Sequence, residues 1–212
     1  MTEGLDMITG LKRFALVGLL LLAGLLAACA SSGHESSAGK PLPEMTFDHI
    51  VPLPLDVAKI DIENDYNPSA DPKDVSSSLP TPPDILLRRY AEKKLSAAAK
   101  PGGSDERTLK FIIEDAHVYQ QTIAPDNKML KWLHMGGKER YDVFMRVRMY
   151  TVDAGGHQST HSILNFTRYI AIPQNYSLAE KELEQFGFLE MLMKDADKAI
   201  EETLRDKMGL TL

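Results

Sequence analysis

Regular alternation of apolar and polar residues is clearest in the second half of the chain. Between residues 141 and 149 every second residue is apolar, and the residues between them include Arg146 and Arg148. This pattern is typical of a β-strand that buries one face and exposes the other. Residues 153–156 form a turn signal and the chain returns through residues 163–171, so the sequence predicts an antiparallel hairpin.

Two further strands are predicted earlier in the chain. The first covers residues 57–62, where apolar residues alternate with charged ones. The second covers residues 109–118, and its apolar positions change phase after Ile113. This change of phase predicts a β-bulge near Glu114 and Asp115.

Apolar residues at helical spacing predict a helix between these two strands. Thr81 is its expected N-cap and Pro82 its first helical residue, because threonine caps helices and proline is tolerated in the first turn. Pro101 and the two glycines after it are expected to end the helix. Its apolar stripe consists of Leu87, Ala91, Leu95 and Ala98.

A longer helix is predicted at the end of the sequence. Ser177 and Glu180 match the capping box, in which each side chain accepts a hydrogen bond from the backbone of the other residue. The helical pattern continues to about Met208, and Gly209 is placed to end it. The face expected to lie on the sheet consists of Leu189, Leu192, Ala196, Ile200 and Leu204.

The predicted element order is therefore β-α-β-β-β-α, an α+β fold. One mainly antiparallel four-stranded sheet with two helices on one face is the economical packing, since each apolar stripe needs a partner. The other face of the sheet, including Arg146 and Arg148, is then expected to face solvent.

The N-terminal segment has the pattern of a lipoprotein signal peptide. Lys12 and Arg13 precede an uncharged apolar run over residues 14–26. This run is shorter than the roughly 20 residues of a membrane-spanning helix. It ends in Leu26, Ala27, Ala28 and Cys29, which together resemble a bacterial lipobox. We therefore expect cleavage before Cys29 and attachment of a diacylglycerol to its thiol, which tethers the protein to a membrane.

The expected domain organisation is a signal peptide over residues 1–28, a flexible tether over 29–46 and one α+β domain over 47–212. The tether is assigned because this part of the chain is rich in Ser, Gly, Ala and Pro. If the sorting of Gram-negative lipoproteins applies, Ala30 after the acylated Cys29 directs the protein to the periplasmic face of the outer membrane.

Charge and cysteine content exclude several classes of function. The net charge is −6 at pH 7, whereas binding to nucleic acid needs a basic surface. Cys29 is the only cysteine, so its acylation leaves no thiol for a disulfide or a cysteine-bound metal. The domain is therefore expected to depend on its apolar core, without a cofactor or structural metal.

Sequence motifs of catalytic and metal sites are absent from the chain. There is no Gly-x-Ser-x-Gly turn, phosphate-binding glycine loop or His-Glu-x-x-His motif. His157 and His161 would lie about 13 Å apart along a strand, too far to share a zinc ion. Glu114 and Asp115 are adjacent on a strand and are expected to point to opposite faces, which separates the two carboxylates. We therefore expect no enzymatic activity.

A polar loop is predicted over residues 64–80, and loops of this length are usually functional or mobile. The acidic residues at its start, beginning with Asp61, alternate like those of a calcium-binding loop. Tyr66 replaces the expected glycine, however, and Pro72 the expected glutamate, so the segment is not an EF-hand. A solvated strand end is the simpler interpretation.

An apolar cluster with basic neighbours separates the second and third predicted strands. Its apolar members are Met129, Leu130, Trp132, Leu133 and Met135, and its basic neighbours are Lys128, Lys131, Lys138 and Arg140. Such a cluster suits docking to an acidic partner or to a membrane surface. The alternative is that the segment folds back and Trp132 fills the core or covers a sheet edge, and the sequence favours neither arrangement.

Three short passages together resemble a known group of proteins. They are residues 111–116 (Phe-Ile-Ile-Glu-Asp-Ala), 140–143 (Arg-Tyr-Asp-Val) and 177–180 (Ser-Leu-Ala-Glu). They resemble small lipoproteins of Gram-negative, especially alphaproteobacterial, envelopes whose function is not established. The element order is also similar to that of the lipopolysaccharide-translocon lipoprotein and of the auxiliary lipoproteins of envelope ABC lipid transporters. Both of these groups dock to partners, so the resemblance implies a docking role without catalysis.

Two functions are consistent with these observations. The first is a non-catalytic adaptor or auxiliary subunit that binds an envelope protein during envelope assembly or lipid transport. The second is a carrier that holds a lipid or other amphiphile between the sheet and the helices. The adaptable lining for such a ligand would come from Met145, Met149, Met191 and Met193.

Overall fold

The computed structural model describes residues 44–99, 106–132, 136–159 and 161–212. The predicted signal peptide and the lipobox around Cys29 lie outside these residues. The elements in chain order are β1 (Leu53–Leu55), β2 (Lys59–Asn64), α1 (Pro83–Lys94), β3 (Leu95–Ala97), β4 (Thr108–Ile123), α2 (Lys128–Trp132), β5 (Lys138–Val152), β6 (Ser162–Pro173) and α3 (Leu178–Glu202).

The main sheet has four strands in the order β2-β4-β5-β6. β2 runs parallel to β4, while β4, β5 and β6 are joined as antiparallel neighbours. Val147 of β5 lies opposite Ile113 on one side and Leu164 on the other. Both long helices contact the same, apolar face of this sheet. The predicted α+β fold with a mainly antiparallel four-stranded sheet is confirmed.

A β-bulge interrupts β4 at the predicted place. The pairing of β4 with β5 shifts between Ile113 and Asp115, so Glu114 is the additional residue. Ile113 is buried before the bulge and Ala116 after it. The change of phase in the sequence therefore corresponds to the bulge, which returns Ala116 and Val118 to the core face that Ile113 occupies before it.

The first helix differs from its prediction at both ends. It begins at Pro83, because a residue that precedes proline is held in an extended conformation, as Pro82 is here. It ends at Lys94, before the predicted end at Pro101. The chain then forms β3, which pairs in parallel with β1 in a separate two-stranded sheet. This pairing takes Leu95 and Ala98 out of the predicted helical stripe, and Ala98 is exposed.

The final helix agrees with its prediction. The backbone N–H of Ser177 donates to Glu180 Oε2 at 2.7 Å, and the N–H of Glu180 donates to Ser177 Oγ at 3.3 Å. A turn of π-helix extends α3 over Thr203–Lys207, and Gly209 follows with a φ of 60°. The residues predicted to face the sheet are all buried: Leu189, Leu192, Ala196, Ile200 and Leu204.

The chain around residues 45–47, where the predicted tether meets the predicted domain, is packed against α1. Met45 and Phe47 are buried, and the Phe47 ring meets the Tyr90 ring edge-on with their centroids 5.9 Å apart. The predicted boundary between tether and domain at residues 46 and 47 therefore falls inside a packed segment. Prolines in this region point to extended chain, but they do not reveal that the chain lies against α1.

A largely buried ion pair joins α1 to α3. The ammonium group of Lys94 lies 2.8 Å from Glu201 Oε2 and 3.1 Å from Asp197 Oδ1, and the Tyr90 hydroxyl donates to Asp197 Oδ1 at 2.7 Å. Burial alone would lower the pKa of Lys94, but its hydrogen bonds to Glu201 and Asp197 raise it. Burial and the hydrogen bond to Asp197 also raise the pKa of Tyr90. Lys94 and Tyr90 therefore both remain protonated at neutral pH.

Candidate interaction surfaces

The short helix α2 presents Met129 and Trp132 to solvent. The Asn127 side chain starts the helix by accepting a hydrogen bond from the N–H of Met129 at 2.8 Å. Met129 is 69% exposed and Trp132 is 79% exposed. The indole ring therefore neither fills the core nor covers a sheet edge. We call Met129 and Trp132 the α2 tip.

Only part of the predicted cluster belongs to the described residues. Leu130 is part of α2, while Leu133 and Met135 lie outside the described residues. Lys128, at the start of α2, and Lys138, at the start of β5, are both exposed. Arg140 is engaged elsewhere, because its guanidinium pairs with Asp142 at 2.6 Å. The predicted role of the cluster as a contact for a partner or membrane stays a prediction.

The outer face of the four-stranded sheet, opposite the helices, contains many paired charges. The bulge places Glu114 and Asp115 on this same face, so the expectation that they point to opposite faces was wrong. Glu114 Oε1 lies 2.7 Å from Arg148 Nε, and Asp115 Oδ1 lies 2.7 Å from His117 Nδ1. Because each carboxylate has its own cationic or imidazole partner, the two do not form a paired acid–base site.

Aromatic rings and arginines stack beside these ion pairs. The imidazole of His117 lies between the rings of Tyr119 and Phe144, with centroid distances of 4.6 and 5.1 Å. The Arg146 guanidinium lies over the Phe144 ring at 5.4 Å and donates to Asn165 Oδ1 at 2.8 Å. This face is therefore held by stacking and by cross-strand contacts.

The acidic residues of β2 are neutralised by lysines. Lys110 Nζ lies 3.0 Å from Asp61 Oδ2 and 2.7 Å from Glu63 Oε1. Hydrogen bonds from Lys59 and Lys110 lower the pKa of Asp61. These carboxylates form an ion-paired strand end.

The polar loop over residues 64–80 is organised around one carboxylate. Asp74 accepts hydrogen bonds from the backbone N–H groups of Ser69 and Ser76, both at 3.0 Å. Burial alone would raise the pKa of Asp74, but the bonds from Ser76 and Ser69 lower it. The Tyr66 hydroxyl lies 2.8 Å from Ser76 Oγ, and burial raises the pKa of Tyr66 to about 12. The loop therefore has an internal hydrogen-bond network of its own.

The two histidines of the β5–β6 turn have separate partners. His157 Nδ1 lies 3.1 Å from Asp153 Oδ2, and the His161 ring contacts the Tyr150 ring with centroids 4.9 Å apart. Within the described ranges, no group of three or more His, Cys, Asp or Glu side chains is arranged to hold a metal ion.

A surface groove runs between the two long helices. Its volume is about 360 Å³, and its walls include Met45, Ile85, Phe186 and Leu189. By contrast, a cavity between the sheet and the helices, beside Val143, measures only about 10 Å³. The methionines expected to line a ligand cavity do not do so: Met145, Met149 and Met193 are packed in the core and Met191 is 52% exposed.

Comparisons with known proteins add little to this description. No family model matches the sequence, and no curated protein matches it. Among solved structures, the chain is similar to a minor lipoprotein from Acinetobacter baumannii, with 14% identity, 73% of this chain and 94% of that chain covered, and a TM-score of 0.34. In the described part of the chain, no helix is both long enough and apolar enough to cross a membrane.

Proposed function

We propose that this protein is a lipid-anchored adaptor of the bacterial envelope, which docks to a partner protein through the α2 tip. The observation that carries the proposal is the 79% exposure of Trp132 at the end of a short helix. Cys29 supplies the membrane anchor, and the tether that follows allows the domain to reach a partner beside the membrane.

The α2 tip has the composition of a docking surface. Tryptophan and methionine are enriched at protein interfaces, and buried tryptophan is among the residues that contribute most to binding. A tryptophan and a methionine exposed on the same short helix form an apolar patch that a partner can cover. Lys128 and Lys138 favour a partner whose surface is acidic around its apolar contact.

Photo-crosslinking in cells tests the adaptor proposal directly. A photoreactive phenylalanine analogue replaces Trp132 in the full chain, and a matched variant carries it at Lys198, an exposed position on α3. We expect the variant at position 132 to capture a discrete envelope protein, while the control at position 198 does not. Capture of the same proteins from both positions, or only of lipid from position 132, would contradict docking by the tip.

A second experiment tests the anchor independently of the tip. Cys29→Ser removes the thiol that receives the lipid, so the variant should leave the membrane fraction or accumulate with its signal peptide uncleaved. A variant that is processed normally and stays in the membrane fraction would refute acylation of Cys29. Because the crosslinking readout concerns only the tip, the two parts of the proposal fail separately.

A carrier of amphiphiles is the second candidate function. The observation that favours it is the largely apolar groove of about 360 Å³ between the helices, where Arg89 pairs with Glu44 at 2.6 Å. Native mass spectrometry of protein purified in detergent and then exchanged out of it should show a retained amphiphile if the groove carries one. A variant with Ile85→Asp in the wall of the groove should lose that ligand, while Ile163→Asp on the outer sheet face should keep it.

A further inference from the structure

A basic hollow lies where the end of the last helix approaches β4 and the β5–β6 turn. It measures about 330 Å³, and its lining includes Arg107, His161, Ser162 and Lys207. None of its described lining residues is acidic. In a chain whose net charge is −6, a hollow lined by cationic and hydroxyl side chains differs from the surface around it.

Arg107 is fixed in position by Asp56. Its Nη2 donates to the backbone oxygen and to Oδ2 of Asp56, at 3.1 and 2.8 Å. The N–H of Asp56 in turn donates to the Leu210 oxygen at 2.7 Å, which ties this pair to the C-terminal segment.

Lys207, His161 and Ser162 add further polar groups to the hollow. Lys207 is exposed and makes no ion pair with a described residue, whereas Arg205 nearby pairs with Glu201. The contact of His161 with a described residue is through its ring, to Tyr150, and leaves its nitrogens available. Ser162 begins β6 and adds a hydroxyl group to the lining.

We propose that this hollow binds a phosphate group, which belongs to a phosphate ester. A guanidinium N–H, an ammonium, an imidazole N–H and a hydroxyl are the donors that phosphate oxygens accept from. Arg107 is already oriented by Asp56, so binding needs little ordering of its side chain. A water-soluble phosphate ester and the headgroup of a phospholipid present the same chemistry to the hollow. The site is independent of the α2 tip and of Cys29.

Titration by NMR with the full-length protein in an uncharged detergent tests the proposal. Inorganic phosphate and glycerophosphoglycerol, which is a phospholipid headgroup without acyl chains, are the two probes, at constant ionic strength in chloride. We expect saturable shifts of the amide signals of His161, Ser162 and Lys207 with at least one probe. Tighter binding of inorganic phosphate points to a soluble phosphate monoester, and tighter binding of glycerophosphoglycerol points to a lipid headgroup.

Three variants separate a specific site from general attraction of anions. Arg107→Lys preserves a charge that can pair with Asp56 but removes the guanidinium group, and Lys207→Gln removes the free ammonium. Each should weaken binding about tenfold or more, since each deletes a charge-assisted hydrogen bond. Lys198→Gln removes the same charge from the exposed surface of α3 and should leave the affinity unchanged.

Two results would overturn the phosphate site. The first is the absence of saturable shifts at the hollow with either probe. The second is an equal loss of affinity in Lys198→Gln and Lys207→Gln. This result would mean that phosphate binding depends only on the net charge of the protein. Unchanged amide spectra of the variants without phosphate confirm that they are folded, so a loss of binding is not a loss of structure.

Discussion

The two faces of β5 differ in every property that matters for stability. The inward side chains are buried against the helices, whereas the outward ones are partly or fully exposed. The inward set is Tyr141, Val143, Met145, Val147 and Met149, and the outward set is Asp142, Phe144, Arg146, Arg148 and Tyr150. The inward side chains of β5 therefore belong to the apolar core, and its outward side chains belong to the outer face of the sheet.

This difference shows where the sequence is free to change. Full burial of a large apolar side chain is worth about 1.5–3 kcal/mol relative to exposure, whereas exposed ion pairs contribute about 0–1 kcal/mol each. The inner face therefore determines which fold forms, and most of the outer face can vary without unfolding the protein. The α2 tip and the basic hollow also lie outside the core, where a binding function costs little stability.

Met145→Ala should have the largest effect on stability. Met145 is fully buried, so its truncation leaves a cavity and should lower the free energy of unfolding by about 2–5 kcal/mol. Arg146→Ala, at the next residue on the outer face, should cost less than about 1 kcal/mol. Chemical denaturation followed by far-UV circular dichroism measures both, because the only tryptophan is exposed and would report poorly. Equal losses would contradict the assignment of the two faces.

Lys94→Met should have the next largest effect. The variant keeps an apolar side chain of similar length but leaves Asp197 without its cation and Glu201 with only its more exposed pair to Arg205. Lys94 is 8% exposed and each carboxylate 32% exposed, so solvent screens part of the loss, which we place at about 2 kcal/mol. Lys93→Met breaks the exposed pair with Asp48 and should change stability by less than about 1 kcal/mol. A larger loss of stability in Lys93→Met than in Lys94→Met would contradict the prediction that the buried junction contributes more than the exposed pair.

The same junction predicts a loss of stability at alkaline pH. Folding raises the pKa of Lys94 above its ordinary 10.5 and that of Tyr90 above its ordinary 10.0. A raised pKa means that the folded state holds its proton more tightly, so the stabilisation is complete below pH 10 and is lost as the pH rises further. The free energy of unfolding of the wild type should therefore fall above pH 10. This fall should be shallower in Lys94→Met, which lacks one of the two groups, and an identical slope would contradict the contribution of Lys94.

The fold could be predicted wherever a repeated pattern extended over many residues. The alternation along β5 predicts a strand, and the capping box at Ser177 predicts the start of a helix. Both predictions depend only on residues that are close together in the sequence. The pairing of β1 with β3 could not be predicted in this way, because strands of three residues have no periodicity. The sequence pattern therefore assigned Leu95 to the helix, whereas in the structure Leu95 belongs to β3 and pairs with Leu53 of β1.

The candidate sites were harder to predict than the fold. The apolar cluster around Trp132 was visible in the sequence, but its exposure was not, because composition alone does not distinguish a covered loop from an exposed one. The basic hollow combines residues from distant segments, such as Arg107 and Lys207, and no spacing in the sequence relates them. The phase change at Ile113 predicted the bulge but did not show that Glu114 and Asp115 share a face.

The smallest expected effect concerns the pair of Glu114 and Arg148 beside the bulge. Arg148 Nε lies 2.7 Å from Glu114 Oε1, but its N–H is poorly aligned with that oxygen, so the contact is an ion pair rather than a directed hydrogen bond. A double-mutant cycle with Glu114→Ala and Arg148→Ala should therefore give a coupling energy below about 1 kcal/mol. A coupling of several kcal/mol would mean that the outer face also stabilises the fold, and the contrast between the two faces would be wrong. A small coupling leaves the outer face free to acquire contacts with a partner, since its own pairs contribute little to the folded state.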